Sequence, residues 1–184
     1  MKNDFQFTHR IATHEDIPAI LVLMKMAIAE NMKGFLSSTE IIAAQATMGL
    51  DTSLIDDQTY FIIEAEKDDD THIVGCGGWG KRKTLYGGNH TVGRDDSFAD
   101  PANDAARIRA MYTHPDWIRM GIGTLLLDLG EEAARKAGFK TIELGSTLPG
   151  EPLYVARGYL EVKRNEQITE SGATNVIIVM SKEL

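Results

Sequence analysis

The segment that most constrains this chain is MYTHPDWIRMGIGTLLL, which runs from Met111 to Leu127. It predicts an apolar strand, a turn marked by Pro115, a loop with two glycines, Gly121 and Gly123, and a helix that continues to Ala137. The first amides of such a helix lack acceptors within it and lie at the positive end of its dipole. Because glycines let a ligand approach the backbone closely, the segment predicts a phosphate or pyrophosphate site.

The composition is that of a globular protein and limits the classes of partner. The 184 residues are 43% hydrophobic and 25% charged, which predicts a single domain over residues 1–184. A net charge of −8 argues against nucleic acid as the main partner, because phosphate backbones need concentrated positive charge. With no signal-peptide pattern, no apolar run long enough for a bilayer and Cys76 as the only cysteine, we expect a cytoplasmic protein without a membrane partner.

Hydrophobic periodicity and turn residues predict the element order β-α-α-β-β-β-α-β-α-β-β. Consecutive strands favour antiparallel pairing, and the strand–helix–strand unit around the glycine loop favours one parallel pair. The predicted fold class is therefore α/β, with a mixed, mostly antiparallel sheet and helices on both faces. The stretch 84–103 has no periodicity and predicts a binding loop or a mobile segment. The predicted strands are 5–11, 60–66, 72–80, 107–113, 141–145, 160–162 and 175–180, and the helices are 17–31, 37–49, the segment from the glycine loop to 137, and 151–157.

The glycine loop matches neither of two common nucleotide-binding motifs. A dinucleotide fingerprint needs a third glycine, and a P-loop needs Gly-Lys followed by Ser or Thr. GIGTLL over residues 121–126 has neither. A pyrophosphate site built from backbone amides remains, beside the alternative that the glycines only fit the turn.

Two further motifs follow the glycine loop. IRMGIG at 118–123 opens the helix, AGF at 137–139 closes it, and LYVARGY at 153–159 follows the next strand. In this order they resemble the core of the GCN5-related N-acetyltransferases (the GNAT superfamily). That family has a strand, Arg/Gln-x-x-Gly-x-Gly/Ala, a helix, a strand and a short helix with a conspicuous tyrosine. Ile118 departs from the usual Arg or Gln, which removes a side chain but leaves the amides, and Arg119 could supply a charge-assisted contact instead.

The resemblance implies the acyl-CoA N-acyltransferase fold and acetyl-CoA as the acyl donor. A strand edge would pair with the pantetheine arm, and the amides of the glycine loop would hold the pyrophosphate. The acceptor would be a primary amine on a small molecule or a peptide. The rival hypothesis is a non-catalytic acyl-CoA-binding sensor or interaction module. The implied donor-binding residues are Met111, Tyr112 and Thr113 on the strand, and Arg119, Met120, Gly121, Ile122, Gly123 and Thr124 in the loop and helix.

Tyr154 matches the position of the family's tyrosine general acid. A phenol within reach can protonate the CoA thiolate that leaves when an amine attacks the thioester. The alternative interpretation is a half-buried aromatic residue whose hydroxyl is already satisfied. We favour the catalytic role.

The resemblance does not identify a general base. Some family members carry Glu or His at the positions of Arg107 and Arg109, and arginine stays protonated at physiological pH. The two arginines share one face of the strand, where they could hold an acidic group or form a salt-bridged surface. Glu143 and His114 remain as candidates, beside a proton route through water, and His114 before a proline is more typical of a turn.

For several other residues the sequence predicts a structural role or a position at the border of the site. We expect Cys76 to be a small buried residue rather than a nucleophile. Met24, Met26 and Met32 are expected in the core or a pocket wall, and no metal site is predicted. Trp79, Tyr86 and the loop 84–103 are expected to border the acceptor site, and exposed sheet edges favour a homodimer.

Overall fold

The computed structural model describes residues 6–168 and 172–184 of the chain. Phe5, the predicted start of the first strand, lies outside these residues. The predicted order of elements is confirmed, with one short helix added. The strands are β1 (Phe7–Ile11), β2 (Tyr60–Lys67), β3 (Asp70–Gly80), β4 (Ala106–Thr113), β5 (Thr141–Ser146), β6 (Leu160–Ile168) and β7 (Thr174–Glu183), and the helices are α1 (Ile17–Asn31), α2 (Ser38–Thr47), α3 (Ser53–Asp56), α4 (Ile122–Lys136) and α5 (Glu151–Ala156).

The strands form one seven-stranded sheet in the order β1-β2-β3-β4-β5-β7-β6. Every neighbouring pair is antiparallel except β4 and β5, which are parallel. A parallel pair needs a crossover, and α4 supplies it. The predicted mixed, mostly antiparallel sheet is therefore confirmed.

Apolar side chains on the two faces of the sheet pack into two separate clusters. On one face α1 buries Ile20, Leu23 and Ile28 together with Tyr60 and Cys76 of the sheet. On the other face α4 packs against β3 and β4. That second cluster contains Ile63, Ile108, Leu126, Leu127, Ile142 and Leu144.

Local sequence explains where the helices begin. Pro18 lies in the first turn of α1, where a missing amide hydrogen costs nothing. Ser37 and Glu40 form a capping box that opens α2. The sequence pattern does not predict helix α3, because its four residues are too few to show a helical period. The predicted strand at 160–162 extends as far as Ile168, since its polar residues pair with β7 through the backbone.

A β-bulge in β4 changes which side chains face each cluster. Ala110 and Met111 together oppose Gly77 of β3, and Ala110 has a left-handed φ of 50°. One extra residue reverses the alternation of side chains beyond it. Arg109 and Tyr112 therefore both lie on the α1 face, while Met111 packs on the α4 face.

The sheet ends at β1 and β6, and β6 leaves Leu160, Val162 and Ile168 exposed. The homodimer expected from such edges stays a prediction. In the part of the chain that the structure describes, the helices are all too short or too polar to cross a membrane.

Gly78 lets β2 and β3 approach closely, and its replacement tests this packing. A Cβ there would overlap the carbonyl oxygen of Thr59 and lie 2.9 Å from Cα of Tyr60. Since backbone cannot move aside cheaply, Gly78→Ala should lower the free energy of unfolding by about 3 kcal/mol. Gly34→Ala is the control, because Gly34 has a φ of 88° but a Cβ added there would meet no heavy atom within 4 Å. It should cost about 1 kcal/mol by urea denaturation, and equal costs would contradict the packing argument.

Candidate functional site

The loop before α4 has a backbone conformation that suits an anion at the start of the helix. Arg119 and Gly121 both adopt left-handed conformations, with φ of 62° and 92°. The amide of Leu125 donates to the Gly121 carbonyl at 2.9 Å. The helical amides before it, from Ile122 to Thr124, precede the first complete helical turn and lie at the positive end of the dipole. This arrangement can hold a phosphate.

Strands β4 and β5 separate after a short parallel contact. They pair only at Ala106 with Ile142 and at Arg107 with Glu143 among the described residues. The rest of β4, including Met111–Thr113, has no ladder partner on that side. Asn31 of α1 donates to the Thr113 carbonyl at 2.8 Å, which ties α1 to the end of the strand. The divergence opens a cleft through the sheet, with the amides before α4 at one end.

Tyr154 of α5 lies beside this cleft. Its ring packs edge-to-face against Tyr159 with the centroids 5.8 Å apart. Its hydroxyl lies 3.9 Å from the sulfur of Met111, a weak acceptor. Burial raises the pKa of Tyr154 to about 12, so the phenol is protonated at neutral pH and can donate. The strand that ends at Thr113 and the short helix that carries Tyr154, which are far apart in sequence, therefore meet at the cleft.

A cavity of about 350 Å³ lies in the cleft. Its walls come from the end of α1, from α2, from the loop 85–91, from β4 and β5, and from α5 and β7. Met111, Tyr112 and Tyr154 line it beside the strand, and Tyr86 and His90 line it from the loop. The volume suits a small molecule or a single side chain rather than a folded partner.

Arg109 is almost fully buried, with 3% of its surface exposed, and it holds the loop against β4. It donates to the carbonyls of Thr84 at 3.0 Å and Gly87 at 2.8 Å. Its remaining partner is the carboxylate of Asp51, at 2.8 Å. Arg109 thus connects β4, the long loop and the segment after α2.

Asp51 is completely buried and also binds a second arginine. Arg94 donates to Asp51 at 2.9 Å and to the carbonyl of Gly88 at 2.7 Å. Burial alone would raise the pKa of Asp51, but hydrogen bonds from Ser53 and the charges of Arg109 and Arg94 outweigh it and hold that pKa below its usual range. The carboxylate is therefore charged. We call Asp51, Arg94 and Arg109 the buried clamp.

Neither of the sequence-predicted base candidates, Glu143 and His114, lines the cavity, and the two arginines at the usual base positions are paired. Arg107 is paired with Glu143 at 3.2 Å, and Arg109 with Asp51, so both belong to a salt-bridged strand face. His114 accepts a hydrogen bond from the amide of Asp116 at 3.2 Å, which is the behaviour of a turn residue.

The structure corrects the expected position of Trp79 and supports that of Cys76. Trp79 does not border the cavity; it is buried and packs edge-to-face on Phe139 with the centroids 6.0 Å apart. Cys76 is fully buried, and burial raises its pKa to about 12, so it is not a nucleophile.

The three methionines near α1 occupy three different environments. Met24 is in the core, and Met32 is a buried part of the cavity wall, as the sequence predicts. The prediction for Met26 is wrong, because Met26 is only half-buried and lines no part of the cavity. Its position on α1 turns it away from the face that packs on the sheet.

The buried clamp has no signature in the local sequence. Nothing in the local pattern marks Asp51 or Arg94, because they meet β4 only through the tertiary fold. Within residues 6–168 and 172–184, no group of three or more His, Cys, Asp or Glu could hold a metal ion.

A model of the acetyltransferase (GNAT) family matches residues 27–159 of this chain. The comparison with curated proteins found no match. The matched range contains the glycine loop, Tyr154 and the buried clamp.

Solved structures share the fold along nearly the whole chain. A GCN5-related N-acetyltransferase from Rhodopseudomonas palustris has a TM-score of 0.64 and 20% identity, covering 96% of this chain and 95% of its own. The PaiA N-acetyltransferase from Thermoplasma acidophilum in complex with coenzyme A has a TM-score of 0.61 and 14% identity, covering 97% and 99%. A putative acetyltransferase from Salmonella typhimurium with acetyl-CoA has a TM-score of 0.59 and 16% identity, covering 97% and 94%.

Breaking the buried clamp should destabilise the protein strongly. Asp51→Asn leaves two arginines without their shared anion, so we expect the free energy of unfolding to fall by about 3–5 kcal/mol. Asp56→Asn is the control, because its exposed pair with His14 should contribute less than about 1 kcal/mol. Urea denaturation measures both, and a cost below about 1 kcal/mol for Asp51→Asn would contradict the role of the clamp.

The carboxylate of Asp51 also makes the free energy of unfolding depend on pH. The folded-state pKa of Asp51 is lowered, so its stabilisation is present above the unfolded-state value of about 3.9 and is lost as pH falls through the lower folded-state value. Asp51→Asn should therefore weaken the dependence of stability on pH below about 4, as urea denaturation over a pH series would measure.

Proposed function

Because this chain belongs to the acetyltransferase (GNAT) family, we propose that it transfers an acetyl group from acetyl-CoA to a primary amine. The observation that carries the proposal is the position of Tyr154. A protonated phenol lies beside Met111, at a cleft that leads to the free amides before α4. One fold thus supplies an anion site, an open strand edge and a proton donor.

Acetyl-CoA is the donor, and the residues present suit its chemistry. The amides from Arg119 to Thr124 bind the pyrophosphate, which needs close backbone approach and positive partial charge. The free edge of β4 at Met111, Tyr112 and Thr113 binds the amide-bearing pantetheine arm, as an added strand would bind. Arg119 adds a positive charge that Ile118 cannot supply.

The reaction is direct attack in a ternary complex. The acceptor nitrogen forms a bond to the thioester carbonyl carbon, and the carbon–sulfur bond breaks with the electron pair leaving on sulfur. Tyr154 donates its proton to that sulfur as general acid. Holding both reactants in one cleft replaces a bimolecular encounter, and orientation of this kind can supply several kcal/mol of barrier lowering.

The proton of the attacking amine leaves by way of water. Arg107 and Arg109 occupy the positions where some family members carry a base, and both are paired cations. These two arginines also favour a second candidate, an acyl-CoA-binding module without activity. Tyr154 favours the enzyme, since a binding module needs no proton donor at the cleft.

We further propose that residues 1–184 form one N-acetyltransferase domain that works in the cytoplasm. A reducing compartment fits the single, buried thiol of Cys76.

The glycine loop offers a matched test of donor binding. Gly121 and Gly138, at opposite ends of α4, both have a φ of 92°. Alanine at either position should therefore cost about 1 kcal/mol of stability, but only Gly121→Ala should weaken CoA binding, by about tenfold or more. Calorimetric titration with CoA measures this, and equal affinities of the two variants would contradict the assigned cradle.

CoA itself should raise the melting temperature of the wild-type protein, while NAD and ATP should not. At 100 times its dissociation constant, a ligand that binds only the folded state adds about 2.7 kcal/mol of stability. Stabilisation by NAD or ATP alone would overturn the assignment of the donor.

Removing the phenol of Tyr154 tests catalysis. Tyr154→Phe should lower kcat by about 100-fold with little change in the KM for acetyl-CoA, because general acid catalysis typically contributes that much or more. Free thiol release from acetyl-CoA over an amine panel measures it. Tyr159→Phe is the control, since it removes a neighbouring phenol that donates to Glu131 at 3.1 Å and should cost stability rather than rate. An active wild-type enzyme with an unimpaired Tyr154→Phe variant would refute the catalytic role.

A further inference from the structure

The charges around the cavity bear on which amine it accepts, an inference that rests on the proposed function. Arg109 lines the cavity, but it is already paired with Asp51, and Arg94, which shares Asp51, is also paired with Asp96 at 2.7 Å. Asp51 binds Arg109 at 2.8 Å, and Arg109 also donates to two backbone carbonyls. A buried, paired guanidinium of this kind does not serve as the counter-ion of a ligand.

His90 is the other lining residue that could carry positive charge, and it is also engaged. Its Nε2 lies 3.1 Å from the carbonyl oxygen of Thr47, so this nitrogen carries a hydrogen and donates to that carbonyl. The contact joins the long loop to the end of α2. Among the described residues that line the cavity there is no lysine, and the one arginine and the one histidine already donate to protein acceptors.

Glu40 gives the cavity wall a negative charge. It is the third residue of α2, and its Oε2 accepts hydrogen bonds from the Ser37 amide at 2.7 Å and the Ser37 hydroxyl at 2.8 Å. These hydrogen bonds lower the pKa of Glu40, which keeps it ionised at neutral pH. It is the only carboxylate among the described lining residues. Its other oxygen is not used in the capping box.

The remaining walls are mostly apolar or carry neutral hydroxyl and amide groups. Such walls favour the body of a ligand that has few hydrogen-bonding groups of its own. The main apolar contributors are Leu36, Ala44, Met48, Leu85, Val176 and Ile177.

We propose that the acceptor is a small primary amine on an uncharged, mainly apolar body, with no carboxylate or phosphate. The ammonium form is drawn in by Glu40, and the body lies against the apolar walls. A carboxylate on the acceptor would lose its hydration on entering the cavity and would meet no unpaired cation there. A buried charge without a partner is costly. Peptide amino termini and free amino acids are disfavoured, the first by the small volume and the second by the charge.

Matched pairs of acceptors test this proposal on the 184-residue chain. Hexylamine and 6-aminohexanoate have the same reach and similar amines but differ in one carboxylate. We expect kcat/KM for hexylamine to exceed that for 6-aminohexanoate by about 100-fold, with phosphoethanolamine also poor. Equal values, a preference for the carboxylate, or turnover confined to peptides would overturn the acceptor class while leaving acetyl transfer in place. No turnover with any amine would instead overturn the proposed function and this inference with it.

A charge-matched pair of variants tests the part played by Glu40. Glu40→Gln keeps the capping box, since glutamine can replace glutamate there, but removes the charge. It should raise the KM for hexylamine about threefold to tenfold at low salt with kcat unchanged, and the effect should shrink in 0.5 M salt. Glu30→Gln removes the same charge from α1, where Glu30 pairs with Lys33 and does not line the cavity, and should leave KM unchanged. Equal effects of the two variants would overturn the role of Glu40.

Discussion

The early separation of β4 from β5 is the constraint on which the rest of the site depends. Two residue pairs, at Ala106 and Arg107 of β4, hold the strands together, and the sheet resumes only through β5 and β7. If β4 and β5 stayed paired along their length, the backbone N–H and C=O groups at the edge of β4 would bond to β5. No room would then be left for a ligand. The bulge at Ala110 assists the opening, because it turns Met111 towards Tyr154 and Tyr112 towards α1.

An open sheet needs support from outside the strands, and the buried clamp provides it. Asp51, Arg94 and Arg109 cross-link the segment after α2, the long loop and β4 at a point where β4 has no strand partner on the β5 side. Burying three charges is unfavourable unless each has partners, and here the Ser53 hydroxyl and backbone carbonyls of the long loop supply them. The clamp pairs Arg109 with Asp51 and fixes the cavity wall at once, so the stability of the loop and the pairing of this arginine have one cause.

Sequence reasoning succeeded where the information is local and failed where it is not. The helix α1, the hairpin of β2 and β3, the parallel pair and the glycine loop follow from periodicity and turn residues, and their order located Tyr154 at the cleft through the family resemblance. The clamp could not be found in this way, because Asp51 and Arg109 are 58 residues apart and meet only in the folded chain. Trp79 was misplaced for a related reason: on a strand, one residue of register decides between the core and the cavity.

The buried clamp gives a structural reason for an arginine at residue 109, one of the positions where some family members carry a base. A carboxylate or imidazole at residue 109 could accept a proton, but it could not bind Asp51 and two carbonyls together, and Asp51 would then be a buried anion without its main partner. In the proposed reaction, the proton of the acceptor is then lost to water, before or during attack. A primary amine at neutral pH is mostly ammonium, so the proposed acceptor would be attracted by Glu40 and not repelled by Arg109, which is paired with Asp51. The absence of a base at residue 109 and the proposed acceptance of a cation are thus both consistent with one buried, paired arginine.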